Sequence, residues 1–209
     1  MAVIRRATPA DSPAGAELIL MAGSLVAEHL FDSELQRAMS VVQYLFARPS
    51  NLFSFDRAWV AGEGDEVAAL LHGFPGYDEC SLALSSLRFL PSILRIVGMR
   101  RMLRFAWRAR QFLVPLCFRG ERNYFLVNAL AVYERFRRRG IATLLLEVAE
   151  QEARRLVLPR LRLVVRADNG PAIAAYQKFG FIVLDEVAYC LCPRTGGRIV
   201  WMRMEKILT

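Results

Sequence analysis

One stretch of this sequence constrains the fold more than any other. Leu126-Val-Asn-Ala-Leu-Ala-Val-Tyr-Glu-Arg-Phe-Arg-Arg-Arg-Gly-Ile-Ala-Thr-Leu-Leu begins as an uncharged apolar run, crosses a polar loop and enters a helical pattern after Gly140. A short apolar run closed by a loop reads as a strand, and apolar residues at 141, 144, 145, 148 and 149 follow the spacing of one helix face. The chain is therefore committed to a strand–loop–helix unit. The first amides of a helix have no partner within it, and the macrodipole adds roughly half a positive charge there, so such a start is an anion site. Gly140 lets the backbone approach an oxygen closely, and Ala142 keeps the next turn small. Arg135, Arg137, Arg138 and Arg139 surround the start with guanidinium forks suited to phosphate. The stretch is neither GxxxxGK[ST] nor GxGxxG. Taken alone, a solvated basic helix start would explain it as well.

The rest of the chain supplies the elements of one α/β domain. A first strand reads at 3–7, with Thr8-Pro9-Ala10-Asp11 as a helix start. Helical periodicity covers 13–28 and 33–47, the second capped by Asp32 or Ser33. Strands at 57–61 and 66–73 flank the turn Gly62-Glu-Gly-Asp65, a hairpin signal. Further on come a strand at 123–132, a helix at 139–156, a strand at 161–165 and a short helix at 170–179. Strands at 181–190 and 198–207 close the chain around Pro193-Arg-Thr-Gly-Gly197. With 209 residues and neither repeats nor a long linker, the reading is a single domain over 1–209.

Charge marks out one insertion, at about 81–122. Arg88, Arg95, Arg100, Arg101, Arg104, Arg108, Arg110, Arg119 and Arg122 face the single acid Glu121, a net +8 that equals the charge of the whole chain. A neutral domain with one basic insert does not have the distributed charge of a nucleic-acid binder, and no nucleic acid is expected. Pro91 opens a short helix that Gly98 closes. Met99, Met102, Leu103, Ala106, Ala109 and Leu113 then share one helix face, with Arg100, Arg101, Arg104 and Arg108 on the opposite one. A helix docked by its apolar face is the plainest account. A homodimer contact, a lid over an acidic substrate, and an anionic membrane surface helped by Trp107 are the sharper ones. The mean hydropathy of +0.26 is high and suggests apolar surface shared with a partner.

Uncharged apolar runs such as 18–27 fall short of the ~20 residues that span a bilayer, so no transmembrane segment is expected. The N-terminus lacks the apolar core of a signal peptide, which suggests a cytoplasmic protein. Cys80 and Cys117 stand alone, Cys190-Leu-Cys192 is one residue too tight for a CxxC knuckle, and His29 and His72 lie far apart. The expectation is buried reduced thiols and no metal site.

Two motifs then carry a resemblance. Arg137-Arg138-Arg139-Gly140-Ile141-Ala142, after the apolar Leu130-Ala131-Val132, is similar to the Q/R-x-x-G-x-G/A pattern of the GCN5-related N-acetyltransferase (GNAT) superfamily. Asn169-Gly-Pro-Ala-Ile-Ala-Ala-Tyr176-Gln-Lys-Phe-Gly180-Phe181 resembles the family's second signature, and the two stand in the family's order. The resemblance covers roughly 3–78 and 123–207. It implies the acyl-CoA N-acyltransferase fold, an α/β (α+β) mixed sheet of about seven strands with helices on both faces and its fourth and fifth strands splayed apart. It further implies that acetyl-CoA lies in that gap as cosubstrate, with no metal. The pantetheine would meet Leu130, Ala131 and Val132, and the pyrophosphate the amides of Arg138, Arg139, Gly140, Ile141, Ala142 and Thr143, with Arg137 alongside. Asn169 would reach the cofactor's arm; as a residue it equally suits an N-cap for the helix that follows.

The function implied is transfer of acetyl from acetyl-CoA to an amine acceptor of unknown identity, by direct attack in a ternary complex. By resemblance Tyr176 protonates the departing thiolate; a phenol with pKa ~10 is protonated at neutral pH. Packing against Ile173 and Phe179 is its other reading. The strand at 123–132 carries no acid, so the general base is left open among Glu134, Asp78, Glu79, Glu28, Asp32, His72 and a water chain. The alternative function is a CoA-binding regulatory or interaction module without transfer, its basic insert holding an anionic partner.

Overall fold

Alternation of buried side chains fixes the sheet. In a computed structural model describing residues 2–23, 34–63, 66–103, 121–191 and 198–208, β1 (Val3–Arg6), β2 (Ala58–Glu63) and β3 (Glu66–Pro75) form an antiparallel meander. β4 (Phe125–Val132) adds antiparallel to β3, and β5 (Arg160–Arg166) adds parallel to β4. β6 (Ile182–Leu191) and β7 (Arg198–Ile207) complete a seven-stranded sheet in the order β1-β2-β3-β4-β5-β7-β6.

Successive strand residues point to opposite faces, and each face has its own helices. Ala58, Val60, Leu70, Ala129 and Ala131 pack with α1 (Ser12–Ala22) and α2 (Leu35–Phe46) through Ala16, Leu18, Ile19, Val42 and Phe46. On the other face Leu71, Phe125, Val127, Leu161 and Leu163 pack with Ile141, Leu145, Leu146 and Ala149 of α5 (Ile141–Arg155). Ala172, Ile173 and Tyr176 of α6 (Gly170–Lys178) border the same cluster. Between β3 and β4 run α3 (Glu79–Ser86) and α4 (Leu90–Val97), joined by a 3-10 turn and followed by helical residues at 99–103.

The two faces and the order of elements agree with the sequence reading; the differences are local. Strands β2 and β3 each run two residues further than expected, to Glu63 and Pro75. The first helix ends at Ala22 and the second starts at Leu35 with Glu34 at its cap, while Glu28, Asp32 and Ser33 lie outside the described residues. The insert turns helical at Glu79, well before Pro91, and its apolar residues are divided between buried Leu82 and Val97 and exposed Leu84, Leu87 and Leu90. That division conceals a one-sided helical pattern. Of the arginine-bearing helix expected beyond it, 99–103 is helical and 104–120, with Arg104, Trp107 and Arg108, lies outside the described residues. Cys80 corrects the expectation of a buried thiol: as the second residue of α3 it faces solvent.

Candidate active site

The gap that organises the site opens in the middle of the sheet. β4 and β5 pair only at Phe125–Leu161, Leu126–Arg162 and Val127–Leu163. Beyond Val127, β4 continues to Val132 beside β3, while β5 continues to Arg166 beside β7. The closed end is pinned by charge. Buried Arg162 donates from Nε to buried Glu205 at 2.6 Å and from a terminal nitrogen to Glu121 at 2.5 Å, and it lies over the Tyr124 ring. A β-bulge sits where the strands part: His72 pairs with Ala129 and Gly73 with Val127, leaving Asn128 as the extra residue.

Leu130, Ala131 and Val132 lie on the stretch of β4 that has left β5. Ala131 is buried, and Leu130 and Val132 are partly exposed on the α5 side. The chain then turns sharply. Glu134–Phe136 form a 3-10 turn with Phe136 buried, Arg138 takes φ +61°, and Gly140 takes φ +78° and ψ 0° as the cap of α5. Gly140 is there for its backbone conformation, since a Cβ built on it would meet no protein atom within 4 Å. The same open side gives an anion room against the amides of Ile141, Ala142 and Thr143, the first three of the helix. Buried Ile141 fixes that helix start to the core, and Thr143 is exposed. These residues fit a diphosphate.

The arginines of this turn are exposed and partly engaged in building it. Arg137 donates from Nε to the Val132 carbonyl at 3.3 Å, tying the loop to the strand end. Arg139 donates to the Arg135 carbonyl at 2.9 Å and lies over Phe136. Arg135 pairs with Glu66 at the start of β3.

Across the gap, Asn169 caps α6, its Oδ1 accepting from the Ala172 amide at 3.3 Å. The cap role expected of this residue is therefore present, and its Nδ2 is left to donate elsewhere. Tyr176 stacks edge-on to Phe181, with 5.8 Å between ring centroids. Burial pushes its hydroxyl up to about 12, so it is protonated at neutral pH. No described residue hydrogen-bonds that hydroxyl. Both readings of Tyr176 thus coexist: the ring packs, and the hydroxyl is an uncommitted donor.

The candidates for a base fare differently. His72 is fully buried, and desolvation pulls its pKa down to about 4, so it stays neutral. Its Nδ1 lies 3.2 Å from Nδ2 of Asn128, whose side chain is exposed at the bulge. The contact couples the imidazole tautomer to the orientation of the Asn128 amide, and the buried Nε2 has no hydrogen-bond partner among the described residues. Asp78 pairs with Arg57 at 3.1 Å, and Glu134 is exposed. Sequence reasoning missed the Asn128–His72 contact. The available signal was one amide and one imidazole in facing, otherwise apolar strands.

A sheet parted between two parallel strands, with an anion-binding helix start at the mouth, defines an acyl-CoA N-acyltransferase fold. The Acetyltransferase (GNAT) family model matches residues 27–181, and the chain belongs to that family. In solved structures the fold recurs in an acetyltransferase with TM-score 0.71 and 23% identity, covering 99% of this chain and 100% of the other. It recurs in an N-acetyltransferase from Staphylococcus aureus Mu50 with TM-score 0.72 and 16% identity, covering 98% and 100%. An uncharacterized N-acetyltransferase, YdgE, of Bacillus subtilis (strain 168) is 40% identical over 59 residues. That match spans 28% of this chain and 38% of the relative's length.

Proposed function

We propose that this chain transfers the acetyl group of acetyl-CoA to an amine, with both substrates bound at once. The observation that carries the reading is the parting of β4 from β5 after Val127, with the amides opening α5 close behind the freed strand. Acetyl-CoA, when bound, supplies a thioester carbonyl activated toward nitrogen nucleophiles. The amides of Ile141, Ala142 and Thr143 hold the diphosphate, with Arg137, Arg138 and Arg139 adding charge around it. The freed edge of β4 at Leu130, Ala131 and Val132 orients the pantetheine, and Asn169 donates from Nδ2 to the same arm. A β4 backbone N–H receives the developing oxyanion.

In the reaction a C–N bond forms as the C–S bond breaks. Tyr176 gives its proton to the leaving sulfur, the acylated nitrogen releases its surplus proton to water, and water returns a proton to the Tyr176 phenolate. Buried His72, its pKa pulled down to about 4, is too weak a base to take the nitrogen's proton, and Asn128 has none of the basicity required. The acceptor therefore reacts as the neutral amine, and log kcat/KM rises with pH up to the amine's own pKa.

Transfer is preferred to CoA binding alone because the Tyr176 hydroxyl is protonated and uncommitted. Thiol release from acetyl-CoA across a panel of small amines and peptide N-termini tests the proposal. Amine-dependent release that Tyr176→Phe suppresses supports it. CoA binding with no release on any amine points instead to a regulatory module.

A further inference from the structure

Where the strands part, one polar pair is used neither by the cosubstrate site nor by the packing. His72 is fully buried in β3 between Leu70, which packs with α1 and α2, and Phe74, which packs with Leu82 and Tyr124. Its ring stands edge-on to Phe74, with 5.8 Å between centroids. Nδ1 meets Nδ2 of Asn128 at 3.2 Å, while Nε2 is buried with no hydrogen-bond partner among the described residues. A buried ring nitrogen without a partner costs stability, and an apolar residue of similar size would fill the place without that cost. Packing therefore does not account for an imidazole at this position.

Its partner stands at a telling place. Asn128 is the extra residue of the β4 bulge and follows Val127, the last β4 residue paired with β5. It is exposed, and its contact with His72 puts its amide on the face of the sheet that carries α1 and α2. The helix start that fits a diphosphate belongs to α5, on the opposite face. An amine entering from the α1–α2 face therefore meets a thioester arriving from the α5 side at the point where Asn128 stands. A neutral amine attacks with its lone pair, so it must be held through its N–H bonds, which need an acceptor. A carboxylate there would favour the ammonium form, which has no lone pair, whereas an amide oxygen binds N–H without adding a charge.

We propose that Asn128 binds the acceptor amine, its Oδ1 accepting an N–H where β4 leaves β5, and that His72 is the positioning residue that holds the amide in that orientation. This role rests on the acetyl-transfer reading of the gap and adds to it the place of the amine. Orientation and tautomer go together. For Oδ1 to face the gap, Nδ2 donates to Nδ1 of His72, and the imidazole proton is on Nε2. The other tautomer would turn the amide round and present its N–H donors, which would occupy the lone pair that has to attack.

Two measurements test the proposal: imidazole nitrogen chemical shifts of the full-length protein, and kinetics with whichever small amine or peptide N-terminus of the panel it acetylates fastest. The shifts, assigned to His72 with a His29→Gln variant, should place the proton on Nε2. Asn128→Ala should lower amine kcat/KM roughly 10-fold or more, the worth of one well-placed hydrogen bond. Acetyl-CoA Kd should stay within about twofold of the parent, with circular dichroism and Tm unchanged. His72→Leu should lower amine kcat/KM as well, and the double variant should be no slower than Asn128→Ala, because His72 acts only through that amide. A parent that releases no thiol with any amine overturns the acetyl-transfer reading, and this role with it. In a parent that does transfer, four results overturn this role alone: amine kcat/KM that survives either single variant, losses that multiply in the double variant, an equal loss of acetyl-CoA affinity, or a His72 proton on Nδ1.

Discussion

Replacing Gly140 by alanine separates what the turn does for the fold from what it does for the ligand. At φ +78° and ψ 0° the backbone is left-handed, and an L-residue there costs about 1–2 kcal/mol. No steric cost adds to this, since the new Cβ would find no protein atom within 4 Å. For a chain of 209 residues that loss corresponds to a fall in Tm of about 2–8 °C. The ligand should suffer more. The methyl group would stand on the open side where the diphosphate meets the amides of Ile141, Ala142 and Thr143. Loss of one charge-assisted hydrogen bond is worth about 1.5–3 kcal/mol, or roughly 10- to 150-fold in Kd. Calorimetry of acetyl-CoA binding, read beside the melting temperature, measures both. Gly98→Ala is the control: Gly98 also has positive φ, +82°, with open space around it, and it lies in the insert. It should lose stability and keep its acetyl-CoA affinity. If Gly140→Ala melted earlier yet bound acetyl-CoA within about twofold of the parent, the diphosphate would not sit on these amides.

Tyr176→Phe keeps the edge contact with Phe181 and removes the proton donor, so steady-state assays should find kcat lower by about 100-fold or more, with acetyl-CoA Kd and Tm nearly unchanged. His72 sets a pH dependence of stability. With its folded pKa near 4 and an ordinary value of 6.5, the unfolded chain takes up the proton first. Its stability contribution is complete above pH 6.5 and declines as pH falls to 4, by about 3 kcal/mol in all. Urea titrations should show this decline in the parent and its loss in His72→Gln. Asp11 acts lower on the scale: the Arg5 guanidinium at 2.7 Å, with the Thr8 amide and hydroxyl, holds its carboxyl at about 2. Its contribution is present above pH 3.8 and lost as pH falls through 2, a step that Asp11→Asn should abolish in acid-unfolding curves. Glu205→Gln leaves Arg162 buried beside a neutral amide and should cost about 3 kcal/mol in chemical denaturation.

The elements around the gap were readable because local signals and the final fold agree there. An apolar strand, a left-handed glycine and an amphipathic helix each announce themselves within a few residues, and 170–178 carries its own cap in Asn169. The pairing at the parting strands was not readable from composition or periodicity; the resemblance supplied it. Where β4 leaves β5 depends on contacts between residues far apart in the chain, Arg162 with Glu205 and Asn128 with His72. The insert was hard to read for a different reason. A helix that is apolar on two sides gives no clear periodicity, which hides α3, and Cys80, read as buried only because its spacing offers no metal or disulfide partner, is exposed on that helix.

A crystal structure of the protein grown with acetyl-CoA addresses the central claim most directly. The account predicts the diphosphate within hydrogen-bonding distance of the Ile141, Ala142 and Thr143 amides. It also predicts the pantetheine between β4 and β5 beyond Val127, with the thioester sulfur facing the Tyr176 hydroxyl. Density for the cosubstrate at any other place on the domain, with the gap between those strands closed, would contradict it.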